Sequence, residues 1–352
     1  MPQQAYIGTY TDGTSEGLYT YDVTVQNEEL AMQRRAVTPL EDNPSFLAVH
    51  PSDEYLYAIH EVEDGGVTAF RREDDGSLNC LNRVPSGAGG PCHCSVHPSG
   101  EYLFVAHYAG GAVSALPIGS DGSLSRPSDI VHHEGSGVHP ERQTHAHPHS
   151  ITPGPNGHYL YVPDLGTDDI VSYEFDNGTL IPAETTSVSA GAGPRHLDFH
   201  PNERVAYVIN ELDSTVAVFG WSPETGTLDE LAALSTLPTE YQGSNTAADI
   251  HVHPSGNWVY GSNRGHDSII TFRVDEDGRD LTAIDHQSTD GEGPRNFALD
   301  TSGQVLFAEN QYSDTIVAFR IDDETGMLES TGLTVQVPSP VCLYCLPVCD
   351  TD

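Results

Sequence analysis

A short phrase returns seven times along this chain, and it constrains the fold more than any other feature. Five copies are plain: Asn43-Pro44-Ser45-Phe46-Leu47-Ala48-Val49-His50-Pro51, Gly90-Pro91-Cys92-His93-Cys94-Ser95-Val96-His97-Pro98, Gly193-Pro194-Arg195-His196-Leu197-Asp198-Phe199-His200-Pro201, Ala247-Ala248-Asp249-Ile250-His251-Val252-His253-Pro254 and Gly293-Pro294-Arg295-Asn296-Phe297-Ala298-Leu299-Asp300. A looser copy runs His147-Pro148-His149-Ser150-Ile151-Thr152, and a last one opens at Ser339-Pro340-Val341. A period of roughly 45–55 residues built from short strands marks a radial β array, in which each small sheet buries its faces on its neighbours.

The copy opening at Pro194 reads as four strands. Leu197 to His200 forms an inner strand, and Pro201-Asn202-Glu203 turns into the β-rich run Val205 to Asn210. A turn at Leu212-Asp213-Ser214 leads to Thr215 to Phe219, and Glu224-Thr225-Gly226-Thr227 leads to Leu228 to Leu234. No stretch carries helical periodicity. The N-terminus opens on a second-strand pattern, Ala5-Tyr6-Ile7-Gly8, and the C-terminus closes on a first-strand pattern, Val341 to Val348. The expectation is an all-β, seven-bladed propeller with four antiparallel strands per blade and residues 1–352 in one domain. The last blade is closed by the C-terminal strand and the N-terminal strands, which removes the free edges of a linear array.

Within each blade the start of the first strand lies beside the end of the second, at one mouth of the central channel. The residues at the first of these points are Ser45, Cys92, His149, Arg195, Ala248, Arg295 and Val341. The next register position holds Phe46, His93, Ser150, His196, Asp249, Asn296 and Cys342, and two further on come Ala48, Ser95, Thr152, Asp198, His251, Ala298 and Tyr344. The second strands end at Tyr10, Glu61, Tyr108, Leu165, Glu211, Arg264 and Gln311. A purely structural position would repeat one residue type. These diverge into His, Arg, Glu and Asp, as a site grafted on a symmetric frame does. The His-Pro histidines His50, His97, His200 and His253 recur in place and read as structural.

Charge narrows the function classes. The 352 residues carry 52 acids against 14 basic residues, and all 14 are Arg. A lysine-free acidic surface fits a protein working in concentrated salt, where self-repulsion is screened. Nucleic-acid binding, which needs clusters of Lys and Arg, is disfavoured, and Schiff-base chemistry on Lys is excluded. The N-terminal sequence carries no secretory pattern and no apolar run reaches membrane-spanning length, so a cytoplasmic protein without a membrane partner is expected. Cys342-x-x-Cys345-x-x-x-Cys349 lies in an apolar run and reads as small buried hydrophobes. His145, His147 and His149 alternate, but Pro148 argues for irregular backbone, so neither a metal nor another cofactor is expected.

Arg195, Arg264 and Arg295 fall on one rim, and such a cluster suits a carboxylate or phosphate held by bidentate hydrogen bonds. A neutral His149 beside Glu or Arg can act as acid or base near neutral pH.

Gly191-Ala192-Gly193-Pro194-Arg195-His196, then His200-Pro201-Asn202-Glu203 and Val208-Ile209-Asn210-Glu211-Leu212, resemble the seven-bladed lactonase family, which includes the propeller type of 6-phosphogluconolactonase and 3-carboxy-cis,cis-muconate cyclase. Ala247 to His251, Gly293 to Phe297 and Tyr6-Ile7-Gly8-Thr9-Tyr10-Thr11 are similar too, so the resemblance spans essentially the whole chain. It implies a site at the channel mouth, where His149, Glu211, Arg195 and Arg264 match the residues proposed to act in the cyclase and Arg295 lies in a further Pro-Arg motif. Taken with the rim positions, His149, Arg195 and Glu211 are expected to be catalytic and Arg264, Arg295, His251 and His196 to bind substrate. The expected partner is a small anionic or sugar lactone, hydrolysed to the open-chain acid. A lactonising cyclase of a muconate-type dicarboxylate and a non-catalytic binding propeller are the alternatives. The His-rich loop from Glu134 to His147 departs from the family pattern.

Overall fold

The computed structural model describes residues 3–348 apart from 27, 28 and 74. Seven four-stranded sheets stand in a ring, and the described residues contain no α-helix. In chain order, blade 1 spans 47–85, blade 2 91–132, blade 3 152–187, blade 4 194–235, blade 5 246–288 and blade 6 294–336. Blade 7 combines Pro340–Pro347 with Gln3–Thr9, Gly17–Gln26 and Glu29–Pro39. The closure expected from the two chain ends is therefore present, with Tyr6 opposite Tyr344 and Ala5 opposite Cys345. Cys342 is buried in the apolar core, Cys345 packs on a neighbouring cluster, and Cys349 lies outside the described residues.

Two blades depart from the regular four-strand pattern. The inner strand of blade 3 is reduced to Thr152–Pro153, because Pro148 and Pro153 supply no N–H to the ladder. In blade 2 the turn at Asp121-Gly122 leads only to an isolated bridge between Ile118 and Leu124. The outer strand starts later, at Asp129–His132, beyond Pro127.

Apolar clusters lie between blades rather than within one. Tyr207, Ile209 and Val218 of blade 4 pack on Ile250, Val259 and Phe272 of blade 5. Burying each large side chain contributes about 1.5–3 kcal/mol. Polar links repeat with the period. The Tyr57, Tyr161, Tyr207 and Tyr260 hydroxyls donate to the carbonyls of Gly122, Gly226, Gly278 and Gly326 in the following blade, at 2.6–3.2 Å. Nε2 of His50, His97, His200 and His253 likewise meets the carbonyls of Gly100, Gly157, Gly256 and Gly303, at 2.8–3.0 Å. Nδ1 of His50, His97 and His253 accepts from the backbone of Ser52, Ser99 and Ser255, so Nε2 carries the proton. These histidines join blades and lie away from the channel.

Candidate active site at the channel mouth

The two points predicted to meet in each blade do meet. The N–H groups of Glu61, Tyr108, Leu165, Glu211 and Gln311 donate to the carbonyls of Asn43, Gly90, His147, Gly193 and Gly293, and Tyr10 donates to Ser339. Gly193 must be glycine, since its φ is +66° and a Cβ would lie 2.6 Å from Leu212 Cγ.

A β-bulge then aims the next side chains. Pro194 pairs with Asn210 and His196 with Ile209, which leaves Arg195 as the extra residue. The same shift occurs at Cys92, at Arg295 and after Ala247. Strand alternation sends adjacent side chains to opposite faces, and a bulge relaxes that rule. Arg195 and His196 are consequently both buried at the channel.

Glu211 is the hub. Its Oε1 accepts from Arg142 Nη2 at 2.5 Å, and Oε2 lies 2.9 Å from Arg264 Nη2 and 3.1 Å from Arg195 Nε. The Arg195 contact is an ion pair bent away from hydrogen-bond alignment. Burial raises the Glu211 carboxyl, but Arg264, Arg195 and Arg142 outweigh it and hold the group at about 2. Burial, then the charges of Arg295 and Arg264, depress the affinity of Arg195 for its proton, against the pull of Glu211 and Asp249.

Arg295 differs from the other three. It makes no hydrogen bond or ion pair to protein among the described residues, and its guanidinium sits 5.5 Å from the centre of the Tyr10 ring. Tyr10 and Ser45 both donate to Glu61 Oε2, at 2.9 and 2.5 Å. Four guanidinium groups thus meet Glu211 and Glu61, with Asp249 the third carboxylate acting on Arg195, which leaves a local excess of positive charge in a chain of formal net charge −38.

Below the arginines lies a floor of rings. His93 and His149 stand 5.4 and 5.5 Å from His196, and Phe46 stands 4.4 Å from His93. Burial, then Arg195, keeps His149 neutral, far below the usual histidine range. His149 has no carboxylate partner among the described residues; its Nδ1 lies 3.9 Å from Cys92 Sγ. His196 Nδ1 lies 2.7 Å from Asp249 Oδ1. Burial and Arg195 lower His196 to about 4 although Asp249 opposes them.

His251 lies beyond this floor. Its Nε2 donates to Asp249 Oδ2 at 3.0 Å, and its ring borders a cavity of about 340 Å3 that Asp198, Leu343 and Tyr344 line together with His93 and His196 of the floor. Burial lowers its affinity for a proton, but Asp249 and Asp198 reverse this and push it up to about 9. Of the seven site residues expected from sequence, Arg195, Glu211, Arg264 and Arg295 gather at the mouth. His149 and His196 form the floor, and His251 faces the other side.

Sequence reasoning missed Arg142 and the pairing role of Asp249. Arg142 belongs to the loop between blades 2 and 3. Gln143 anchors that loop by donating to Asp168 Oδ1 at 2.6 Å and to the Leu165 carbonyl at 2.9 Å. Its signal was the scarcity of basic residues, since Arg142 is one of only 14. In the same loop His147 donates to the Tyr108 carbonyl and stacks on the Tyr108 ring, His145 is exposed, and His149 is buried. No group of three or more His, Cys, Asp or Glu in metal-binding geometry occurs among the described residues.

A ring of seven sheets with an arginine-rich channel mouth defines a seven-bladed β-propeller. Residues 4–345 match the Lactonase, 7-bladed beta-propeller family, and the chain belongs to that family. It is 36% identical over 340 residues to a 6-phosphogluconolactonase of Bacillus subtilis, covering 96% of this chain and 97% of the relative. It is 34% identical over 313 residues to a 6-phosphogluconolactonase of Formosa agariphila, covering 85% and 87%. Among solved structures, the periplasmic gluconolactonase PpgL of Pseudomonas aeruginosa superposes with a TM-score of 0.93 at 31% identity, covering 99% of this chain and 100% of that one.

Proposed function

We propose that this protein hydrolyses a sugar lactone to the open-chain acid at the arginine-rich mouth. The observation that carries the reading is the convergence of Arg142, Arg195, Arg264 and Arg295 on one buried site of a strongly acidic chain. The relatives named above as lactonases support it.

The roles follow from the contacts. Glu211 is a positioning residue: clamped at about 2 by three guanidinium groups, it is too weak a base to activate water and instead fixes Arg195, Arg264 and Arg142. Arg195 directs Nη1 to the Ala248 carbonyl and to His196, while Nη2 makes no protein hydrogen bond among the described residues. That free amino group is suited to hold the oxyanion that forms when water attacks the lactone carbonyl. Removing such a donor typically costs about 10²–10³ in kcat. Arg295, with no competing carboxylate contact, holds the phosphate or carboxylate end of the substrate, and Arg264 flanks the sugar. A neutral imidazole of the floor, His149 or His196, receives the proton of the attacking water. The acidic surface adapts the enzyme to concentrated salt, and the cytoplasmic setting expected from sequence is part of the same reading.

The test is hydrolysis of glucono-1,5-lactone and its 6-phosphate in molar KCl, followed by pH-stat against spontaneous opening. Arg195→Ala is expected to lower kcat/KM by at least about a hundredfold on both lactones. Arg295→Ala is expected to raise KM chiefly for the phosphorylated one. Equal rates for wild type and Arg195→Ala would remove the assignment.

A further inference from the structure

In blades 3 to 6 the turn between the second and third strands ends on a residue that lies in the left-handed region without being glycine: Asp168 (φ +60°), Ser214 (φ +56°), Asp267 (φ +53°) and Asp314 (φ +56°). Their carbonyls accept from the N–H groups of Val188, Thr236, Thr289 and Val337, so the four positions are equivalent. Short polar side chains tolerate that backbone and hydrogen-bond to backbone groups nearby. The three aspartates reach forward to the next blade. Asp168 Oδ1 accepts from Gly193 N–H at 2.8 Å, Asp267 Oδ1 from Gly293 N–H at 2.9 Å, and Asp314 Oδ1 from Ser339 N–H at 2.7 Å. Each of these donors stands two residues before a rim position, respectively Arg195, Arg295 and Val341.

Asp168 does more than its counterparts. Gly193 precedes the first ladder pair of blade 4, Pro194 with Asn210, so its buried N–H has no strand acceptor and would be costly to leave unpaired. Asp168 supplies that acceptor, and its Oδ2 accepts from Gly191 N–H at 2.7 Å as well. Its Oδ1 also accepts from Gln143 Nε2 at 2.6 Å. Gln143 is buried, follows Arg142 in the chain, and accepts at Oε1 from the backbone N–H of His139 at 2.8 Å. One buried carboxylate therefore ties down both the turn that carries Arg195 and the loop that carries Arg142, two of the cations that meet Glu211.

We infer that Asp168 is a positioning residue of the lactone reaction, holding Arg195 where the oxyanion forms; the inference rests on the lactonase reading above. Arg195 is the extra residue of a bulge, so ladder pairing does not set its direction. Glu211 restrains the guanidinium end, and Asp168 restrains the backbone end through Gly191 and Gly193. A displacement of about 1 Å at a group that acts on the transition state can cost about a hundredfold in rate. Asp314 makes the same bond in front of Val341, a rim residue without charge, so it separates positioning from folding.

The experiment measures glucono-1,5-lactone hydrolysis in molar KCl by D168N, D314N, R195A and the double variant D168N/R195A, with circular dichroism to verify folding and urea midpoints to compare stability. Asn keeps the shape and the left-handed backbone but offers one acceptor oxygen in place of two. D168N is expected to lose about a hundredfold in kcat with KM within about threefold of wild type. D314N is expected to lower the urea midpoint too, with kcat within about threefold of wild type. On the R195A background D168N is expected to cost less than about fivefold in kcat, because its effect passes through Arg195; a merely structural loss would multiply instead. A folded D168N that loses less than about tenfold in kcat overturns the assignment, as does a matching loss in D314N or a loss above about fivefold on the R195A background. Should D168N fail to fold, D168S, which places there the residue type blade 4 carries at Ser214, is judged by the same thresholds. A wild type inactive on lactones defeats the lactonase reading, and the positioning role with it. Activity that depends on Arg195 but not on Asp168 defeats only the latter.

Discussion

Replacing Glu211 by Gln tests whether its three ion pairs organise the mouth. The side chain keeps its shape and loses only its charge. Holding a buried carboxyl at about 2 rather than the usual 4.5 corresponds to about 3 kcal/mol of preference for the charged form in the folded protein. The variant also leaves Arg142, Arg195 and Arg264 without their shared counter-charge, and breaking such buried pairs commonly costs about 3–5 kcal/mol. Because the folded-state value is depressed, the stabilisation is complete above the unfolded-state value and is lost as pH falls from 4.5 toward 2. Urea unfolding at fixed molar KCl, using an uncharged denaturant so that ionic strength stays constant, should show E211Q weaker by about 3 kcal/mol at pH 7 and by less than half of that at pH 3. A loss under about 1 kcal/mol at pH 7, or one unchanged at pH 3, would refute the argument that Glu211 is the hub.

Other outcomes follow from the same contacts. Glu309 is fully buried, neither carboxylate oxygen has a hydrogen-bond partner among the described residues, and burial followed by the charge of Asp249 raises its carboxyl well above the usual range. A raised acid costs stability as pH climbs past the unfolded-state value, so Glu309→Met should stabilise the protein by about 1–3 kcal/mol at pH 8. That gain should fade toward pH 4; urea midpoints at the two pH values check it. Tyr207→Phe removes the link to the Gly278 carbonyl and should cost about 1 kcal/mol by the same unfolding assay, with lactone hydrolysis unaffected. At a formal charge of −38, Tm should rise steeply as KCl increases from 0.1 M to 1 M, since the screening length falls from about 10 Å to about 3 Å. A flat Tm over that range would contradict the role given to the acidic surface.

The blade count, the split seventh blade and the meeting of Gly193 with Glu211 were legible because each rests on a repeated pattern of turn residues and β-rich runs. The rim lists placed Arg195, Glu211 and Arg264 together because strand pairing alone fixes those positions. Arg142 was not legible, since it reaches Glu211 from an irregular loop whose path depends on Gln143 and Asp168 rather than on any periodicity. The bulge at Arg195 also left no trace in residue type. Without it, His196 and Arg195 would be read as facing opposite ways. The separation of His251 from the mouth depended on depth along the strand. Two residues further in, it lies past the floor of rings and faces the cavity beside Tyr344.

A structure with bound gluconate or 6-phosphogluconate tests the central claim most directly. The carboxylate is expected against Arg195 above the His196 floor, with Arg295 engaging an anionic oxygen. Product seated in the cavity beside His251 and Tyr344, with the four arginines untouched, would contradict it.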